Sequence, residues 1–141
     1  MDAKLDVKEI VSVIALWFAA LVFVGLGVAL MIWPTEILAG VEVRFDTPTA
    51  FADIRADYGG CILGLGVFLV WCALQRHLIG AGLLCVGLVF SGYSIARLFS
   101  LAVDGQPKRI IFILLAVELC GAFIAFGVSQ WAPQSGSRSA G

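Results

Sequence analysis

Long apolar stretches separated by short polar segments are the dominant pattern of this chain. A helix that crosses the hydrocarbon core of a bilayer needs about 20 apolar residues. The chain supplies such runs at residues 10–33, 58–74, 78–99 and 110–131. We therefore predict an all-α fold, an integral membrane four-helix bundle, in which residues 1–131 form a single four-helix transmembrane domain.

The segment before the second run predicts where its helix begins. Asp46-Thr47-Pro48 offers a helix N-cap followed by proline at the first helical position, so this helix is expected to start ahead of the membrane. At its other end, Arg76 and His77 leave room only for a tight turn. The second and third helices are therefore predicted to be antiparallel neighbours.

The segments before and after the fourth apolar run predict a turn and a disordered tail. Asp104, Gly105 and Pro107 form a turn signal with proline placed to open the helix. Residues 132–141 are small and polar, so they cannot bury a core, and we predict a disordered tail.

The longest connection, between the first and second helices, alternates apolar with charged residues. The alternating residues are Val41, Glu42, Val43, Arg44 and Phe45. A period of two is typical of an extended segment with one apolar side. Two interpretations stay open, a lid lying over one end of the bundle and a plain solvated loop.

Composition supports the membrane interpretation and narrows the partners. Of the 141 residues, 61% are hydrophobic and 13% are charged, whereas soluble domains have about 25% charged residues. A soluble globular fold is thereby excluded. The net charge of −1 and the absence of a Lys/Arg-rich run predict no nucleic-acid partner. We expect membrane lipids as partners, together with a lipid-like small molecule, other membrane proteins or self-association.

The basic residues of the connections predict an orientation. With four crossings, both termini share a side with the turn at Arg76. If Arg55 and Arg97 are set aside as functional residues, the two sides carry four and three basic residues. These are Lys4, Lys8, Arg76 and Arg138 against Arg44, Lys108 and Arg109. The positive-inside rule then favours cytoplasmic termini.

Glycines predict how the helices approach one another. Gly60 and Gly64 form a G-x-x-x-G pair, and small residues at that spacing let helix backbones come close in lipid. At 100° per residue, Arg55 shares a face with two further glycines of the same helix. The predicted packing glycines are Gly59, Gly60, Gly64, Gly66, Gly87 and Gly92.

Residue types that support catalysis or metal binding are sparse. All four cysteines lie inside predicted crossings and no two have C-x-x-C spacing, so we interpret them as packing residues. His77 is the only histidine and lies in a turn. Nucleophile motifs and paired carboxylates are also missing. We therefore expect a non-enzymatic protein with no cofactor and no metal site.

Glu118 is the residue that most needs an explanation, because it lies near the centre of an apolar run. An intramembrane carboxylate requires a partner, a proton or a function. Helix directions place Arg55, Arg97 and Glu118 in the same half of the bundle. The predicted ligand-binding or buried polar cluster comprises Arg55, Tyr58, Tyr93, Ser94, Arg97 and Glu118.

Several interpretations of this cluster remain open. In the structural one, Arg97 and Glu118 form an internal ion pair and Arg55 extends to the head groups. In the functional one, two arginines against one carboxylate bind the head of an anionic amphiphile, with Tyr58 and Tyr93 along the wall. The alternatives are an accessory or assembly subunit of a larger membrane complex, and a proton- or ion-coupled small transporter that uses Glu118.

The motifs also carry a family resemblance. Asp53-Ile-Arg-Ala-Asp-Tyr-Gly-Gly60, Ala96-Arg-Leu-Phe-Ser100 and Asp104-Gly-Gln-Pro107, followed by Glu118, resemble a family of small bacterial four-helix membrane proteins known as a domain of unknown function. The likeness covers roughly Ile10 to Ser129. It implies the fold and a multi-pass location in the bacterial inner membrane, but no activity. The family usually has glutamate where this chain has Asp53.

Overall fold

Five helices form the computed structural model, which describes residues 7–132. They are α1 (Val7–Ile32), α2 (Pro34–Ala39), α3 (Pro48–Leu74), α4 (Ile79–Val103) and α5 (Arg109–Ser129). All except α2 are long and apolar enough to cross a membrane, and none of residues 7–132 is in a β-strand. The predicted all-α fold with four membrane-crossing helices is confirmed. The predicted tail lies, from residue 133 onward, outside the described residues.

Pro34 divides the first crossing from α2. Proline has no N–H to continue the ladder of hydrogen bonds, so α1 ends at Ile32 and the proline opens the new helix. The amide of Trp33 still donates to Ala29 O at 2.7 Å. The chain therefore leaves the end of α1 directly into a short second helix.

The end of α2 corrects the prediction of an extended segment over residues 41–45. The amide of Glu42 donates to Ala39 O at 3.1 Å, and that of Val43 donates to Leu38 O at 3.2 Å. This pair of bonds is the Schellman ending of a helix, and Glu42 occupies its left-handed position with φ of 62°. The alternation of apolar and charged residues therefore spans a helix-terminating turn and the irregular segment that follows it.

The helix α3 begins where the sequence predicts. Thr47 is its N-cap, with Oγ1 accepting a hydrogen bond from Ala50 N at 3.2 Å, and Pro48 is its first residue. From Arg55 to Gly60 the helix widens into a π-helical turn, shown by the bond from Cys61 N to a carbonyl five residues earlier. Its α-helical geometry resumes at Cys61 and continues to Leu74.

Close packing joins α1 to α3 through glycine. A Cβ atom on Gly27 would lie 2.5 Å from Leu63 N, and one on Gly66 would lie 2.6 Å from Val24 N. Such distances are too short for any side chain to occupy, so only glycine permits this approach. The pair of helices is antiparallel and interlocked along most of its length.

A similar approach joins α4 to α5. There the glycines pack against aromatic rings. A Cβ on Gly87 would lie 2.9 Å from the ring of Phe126. A Cβ on Gly121 would likewise lie 2.5 Å from the ring of Phe90. The bundle thus consists of two tightly packed pairs, α1 with α3 and α4 with α5, with fewer contacts between the pairs.

Three predicted packing glycines lie elsewhere. A Cβ on Gly64 or Gly92 would meet no atom of the described chain within 4 Å, and one on Gly60 would meet only the carbonyl of Arg55 in its own helix. The prediction that the G-x-x-x-G pair brings helices of this bundle together is therefore wrong. Gly59 and Gly66, on the face shared with Arg55, make that contact instead.

The two ends of the bundle are packed differently. We call the end that holds the α3–α4 turn the Arg76 end, and the end that holds the α4–α5 turn the Lys108 end. The largest fully buried side chains all lie in the half nearer the Arg76 end; they are Leu16, Leu69, Ile79, Leu83, Cys72 and Ser12. The polar residues of interest therefore lie in the less completely buried half.

Candidate functional site

An ion pair between α4 and α5 is the centre of the site. Glu118 is 7% exposed, and the Nε of Arg97 donates to both of its carboxylate oxygens at 2.9 Å. At 1.5 Å per residue, Arg97 lies about 9 Å from the end of α4 and Glu118 about 14 Å from the start of α5. The internal pairing in the structural interpretation of the sequence is thus present.

Arg97 lines a cavity at the Lys108 end of the bundle. Its volume is about 240 Å³, and its walls come from the α2 ending, the end of α4 and the start of α5. The lining residues are Gly40, Val41, Glu42, Arg97, Ser100, Pro107, Lys108, Ile110 and Ile111. The connection after α1 therefore lies over one end of the bundle, as the lid interpretation predicts.

Arg97 presents unused hydrogen-bond donors beside this cavity. Its side chain is 27% exposed, and its Nε is the only one of its nitrogens that forms a hydrogen bond with the described residues. A guanidinium carries five N–H groups. The terminal nitrogens of Arg97 therefore keep their donors, while Glu118 fixes the orientation of the group.

An exposed ion pair forms the mouth of the cavity. The Nζ of Lys108, just before α5, lies 2.6 Å from an oxygen of Glu42, and both side chains are more than half exposed. On the α4 side, the hydroxyl of Ser100 donates to Asp104 at 2.7 Å. Glycine follows at Gly105 with φ of 90°, a backbone conformation that few other residues adopt.

The contacts that Arg55 makes are not with Arg97 or Glu118, the charged residues predicted to share its cluster. Its Nε donates to the backbone carbonyl of Met31 at 3.0 Å, and its guanidinium lies 5.7 Å from the centre of the Phe51 ring. The carbonyl needs this donor because Pro34 interrupts the helix just beyond it. Approach of α3 to α1 at Gly59, where a Cβ would lie 2.5 Å from the Met31 side chain, brings Arg55 within reach.

The two tyrosines flank the ion pair without lining the cavity. Tyr58 and Tyr93 are 49% and 42% exposed, and neither belongs to the cavity wall predicted for them. Tyr93 is nevertheless near enough to Glu118, Arg97 and Tyr58 to interact electrostatically with all three. Tyr93 therefore lies near the ion pair, while about half of each tyrosine side chain is exposed on the surface of the bundle.

Ser94 lies one helical turn from Arg97 and is 2% exposed. Its Oγ has no hydrogen-bond partner among residues 7–132. A buried hydroxyl without a partner is unusual in a folded protein. Of the six residues predicted to form the cluster, Arg97 and Glu118 thus pair directly, Tyr93 and Ser94 lie one helical turn from Arg97, Tyr58 is within electrostatic range of Tyr93, and Arg55 contacts Met31 and Phe51.

Three polar side chains that line the cavity, Glu42, Ser100 and Lys108, were missing from the predicted cluster. Glu42 and Lys108 lie in connections, and Ser100 lies at the end of α4, so none carries the signal of a charge inside an apolar run. The lid interpretation of residues 35–47 pointed to this end of the bundle but to no particular side chain. Only the folded connection shows which of its charges face Arg97.

A second cavity, of about 390 Å³, lies at the Arg76 end between α1 and α3. Its lining is mainly apolar and includes Trp17, and Glu9 and Arg76 approach to 3.5 Å at its edge. Within residues 7–132, no three His, Cys, Asp or Glu side chains lie close enough together to hold a metal ion.

Comparison with known families matches residues 11–129 to a domain of unknown function, DUF4345. The chain belongs to this family. Neither the curated proteins nor the solved structures contain a match to it. The matched region contains most of α1 and all of α2 through α5, so the ion pair and the cavity both lie within the DUF4345 domain. Because the family description assigns no activity, the function of this DUF4345 protein must be argued from its geometry.

Proposed function

We propose that this DUF4345 protein is a non-enzymatic, multi-pass membrane protein that binds the head group of a small amphipathic or lipid-like anion in the cavity beside Arg97. The observation that carries the proposal is the orientation of one guanidinium. Its Nε is held by Glu118, its terminal nitrogens form no hydrogen bond with the described residues, and Arg97 lines a cavity of about 240 Å³.

The chemistry of arginine supports an anionic ligand. The terminal edge of a guanidinium offers two parallel N–H groups, which match the oxygens of a carboxylate or a phosphate. With Glu118 fixing the opposite part of the group, binding requires little further ordering of the Arg97 side chain, which reduces the entropic cost. Lys108 supplies a second cation at the mouth.

Apolar residues in the wall support an amphipathic ligand over a soluble one. Ile110 and Ile111 begin α5, and Val41 faces them from the connection. The cavity lies near the ends of two helices that are long and apolar enough to cross a membrane, which is where we expect lipid head groups to meet hydrocarbon. A head group held by Arg97 therefore leaves its chain in the bilayer.

The location and orientation of the protein are part of the proposal. We place it in the inner membrane of a bacterium with cytoplasmic termini, as the count of basic residues favours. The Arg97 cavity then opens on the opposite, periplasmic side. Labelling of a cysteine introduced at Gln106, in the turn at that end, by a membrane-impermeant reagent on intact cells checks the orientation.

Native mass spectrometry of the protein in mild detergent tests the proposal. Wild type is expected to retain a stoichiometric small molecule, and Arg97→Gln to lose it. Because Arg97→Gln also leaves Glu118 without its partner, Ile111→Trp serves as a second variant that fills the cavity and spares the ion pair. Arg55→Gln is the matched control and keeps the ligand. A folded wild-type protein that carries no small molecule would contradict the proposal.

The outward position of the G-x-x-x-G pair favours a second candidate function, an accessory subunit of a larger membrane complex. Gly64 has open space around it, so another transmembrane helix can approach this face closely. Gly64→Ile is expected to weaken co-purification of a partner under gentle solubilisation. Gly25→Ile, at an equally open position on α1, is the control. Equal recovery of the partner with both variants would remove this candidate.

The proton- or ion-coupled transporter stays a prediction. Both oxygens of Glu118 already accept from Arg97, which leaves no contact that favours coupled transport. Glu118→Gln would abolish a pH-dependent flux in proteoliposomes if the carboxylate were the coupling group.

A further inference from the structure

The mouth of the Arg97 cavity carries a balanced set of charges. Arg97 is matched by Glu118, and Lys108 is matched by Glu42 at 2.6 Å. Arg97, Lys108 and Glu42 therefore line the cavity that a ligand head would occupy, and Glu118, outside the lining, is the partner of Arg97. A ligand with only a negative charge adds an unmatched charge to this set.

The backbone conformation of Glu42 is one that glycine adopts at a lower free-energy cost. Its φ of 62° is in the left-handed region, and the position is the one that glycine usually fills in a Schellman ending. For a residue with a Cβ, this conformation costs roughly 1–2 kcal/mol. Strain of this kind is concentrated at ligand clamps and other functional sites. Glutamate at this position places a carboxylate at the cavity mouth, which glycine could not do.

Displacement of the mouth ion pair decides which ligand fits. When an anionic head binds Lys108 and Arg97, Glu42 loses its partner and faces an added negative charge. A protonated amine on the same head group restores the balance, since it takes the place of Lys108 at Glu42. Each charge at the mouth then has an opposite charge as its partner both before and after the ligand binds.

We infer that the cavity selects a zwitterionic head, in which a phosphate binds Arg97 and Lys108 and a primary ammonium binds Glu42. An aminophospholipid of the surrounding membrane has this chemistry. The cavity of about 240 Å³ is smaller than the roughly 300–1,000 Å³ of pockets that enclose a whole small molecule. It therefore suits the head alone. This inference rests on the proposed function and makes Glu42 its specificity-determining residue.

Competition between lipids of matched chains tests the inference. The protein is incorporated into nanodiscs containing phosphatidylethanolamine and phosphatidylglycerol in equal amounts, and the lipid retained on release is identified by native mass spectrometry. Wild type is expected to retain phosphatidylethanolamine about fivefold more often, the upper range for one exposed ion pair. Phosphatidylcholine, whose quaternary amine has no N–H to donate, is expected to compete poorly.

Variants of Glu42 assign the preference to its carboxylate. Glu42→Gln removes the charge, and Glu42→Asn does so with a residue that tolerates the left-handed conformation, which protects the fold. Both are expected to bring the ratio of the two lipids to about one. Glu36→Gln, an exposed glutamate of α2 outside the cavity, should leave the ratio unchanged.

The outcomes separate the inference from the proposed function. If wild type retains phosphatidylglycerol as well as phosphatidylethanolamine, or if the Glu42 variants keep the preference, the inference is overturned while anion binding stands. If wild type retains neither lipid, the proposed function fails with it.

Discussion

Arg97 and Glu118 bring two charges into the apolar part of a helix pair, and each is tolerated because of the other. A single charge at the centre of a membrane helix costs about 2.5–3.5 kcal/mol on insertion scales. The contact from Nε to both oxygens at 2.9 Å offsets that cost for two residues at once. The energetic consequence is that replacing either residue alone leaves the charge of the other without a partner.

Arg97→Gln is therefore expected to destabilise the fold by about 3–5 kcal/mol, the cost of leaving one member of a buried pair unmatched. The double variant Arg97→Met with Glu118→Leu removes both charges and should recover most of that loss. Unfolding in mixed detergent micelles measures the free energies of unfolding of the double variant and of its two single variants, Arg97→Met and Glu118→Leu. If the double variant loses as much as the sum of the two single variants, the residues do not act as a pair.

Arg55 has a different role at the same scale. Arg55→Gln removes the donor to the Met31 carbonyl and is expected to lower stability by about 1 kcal/mol, the usual contribution of one hydrogen bond. The same unfolding measurement checks this value. A loss near that of Arg97→Gln would mean that Arg55 contributes more than this single contact to Met31 O.

The sequence anticipates the environment of one arginine better than that of the other, for a physical reason. Glu118 lies in an apolar run at a depth that Arg97 can reach, so their pairing is one of the interpretations that the sequence offers, and the structure has this pair. Arg55 instead finds a backbone carbonyl, which is available only because Pro34 interrupts α1 and because α3 passes close to that point. Neither of these two conditions can be recognised from the pattern of charged residues in the sequence.

At the scale of elements, glycines decide which helix faces meet. Gly66 lies where a Cβ would be 2.6 Å from Val24 N, whereas a Cβ on Gly64 meets nothing in the described chain. The two residues are two positions apart in the same helix and differ only in the direction they face. They therefore form a matched test of the α1–α3 contact.

Gly66→Ala is expected to destabilise the protein by about 1–3 kcal/mol, because the added methyl group forces two backbones apart. Gly64→Ala should be neutral or stabilising by up to about 1 kcal/mol, since alanine favours helix more than glycine does. Thermal unfolding in detergent compares the two. Equal losses would mean that the α1–α3 interface is wider than the glycine contacts indicate.

The positions of the helices along the chain are largely predictable from the sequence. Which face of each helix contacts a neighbouring helix is not. Thr47 and Pro48 predict the start of α3 because capping and proline chemistry are local. G-x-x-x-G spacing, in contrast, is equally suited to an internal contact and to an outward face. The π-helical turn at residues 55–60 adds a further obstacle, because it shifts the register between the two halves of α3.

On the scale of the whole molecule, two helix pairs share one bundle. Within a pair, glycines permit backbone contact; between the pairs, contacts are fewer and include the Ser12 hydroxyl donating to Val128 O at 3.3 Å. Four apolar runs predict the number of helices from the bilayer thickness alone. They do not predict that α3 packs more closely on α1 than on α4, because the short turn at Arg76 suggests the opposite.

This division predicts that the chain can be cut without losing its fold. Fragments 1–75 and 76–141, expressed together, keep each pair intact and are expected to co-purify as a complex. A cut after Gly105 separates α4 from α5 and should give a poorer yield of complex. Affinity tags on the first fragment of each set measure recovery of the second. If both cuts behave alike, the pairs are not independent units.

The short turn between Arg97 and Glu118 has a consequence for how the protein is made. Both charges belong to one helical hairpin, α4 and α5, whose arms are joined by a few residues at Asp104–Lys108. As the ribosome delivers this hairpin to the insertion machinery, the carboxylate can meet the guanidinium before either arm reaches lipid alone. The two helices can then enter the bilayer together, with the charges of Arg97 and Glu118 already neutralised by each other.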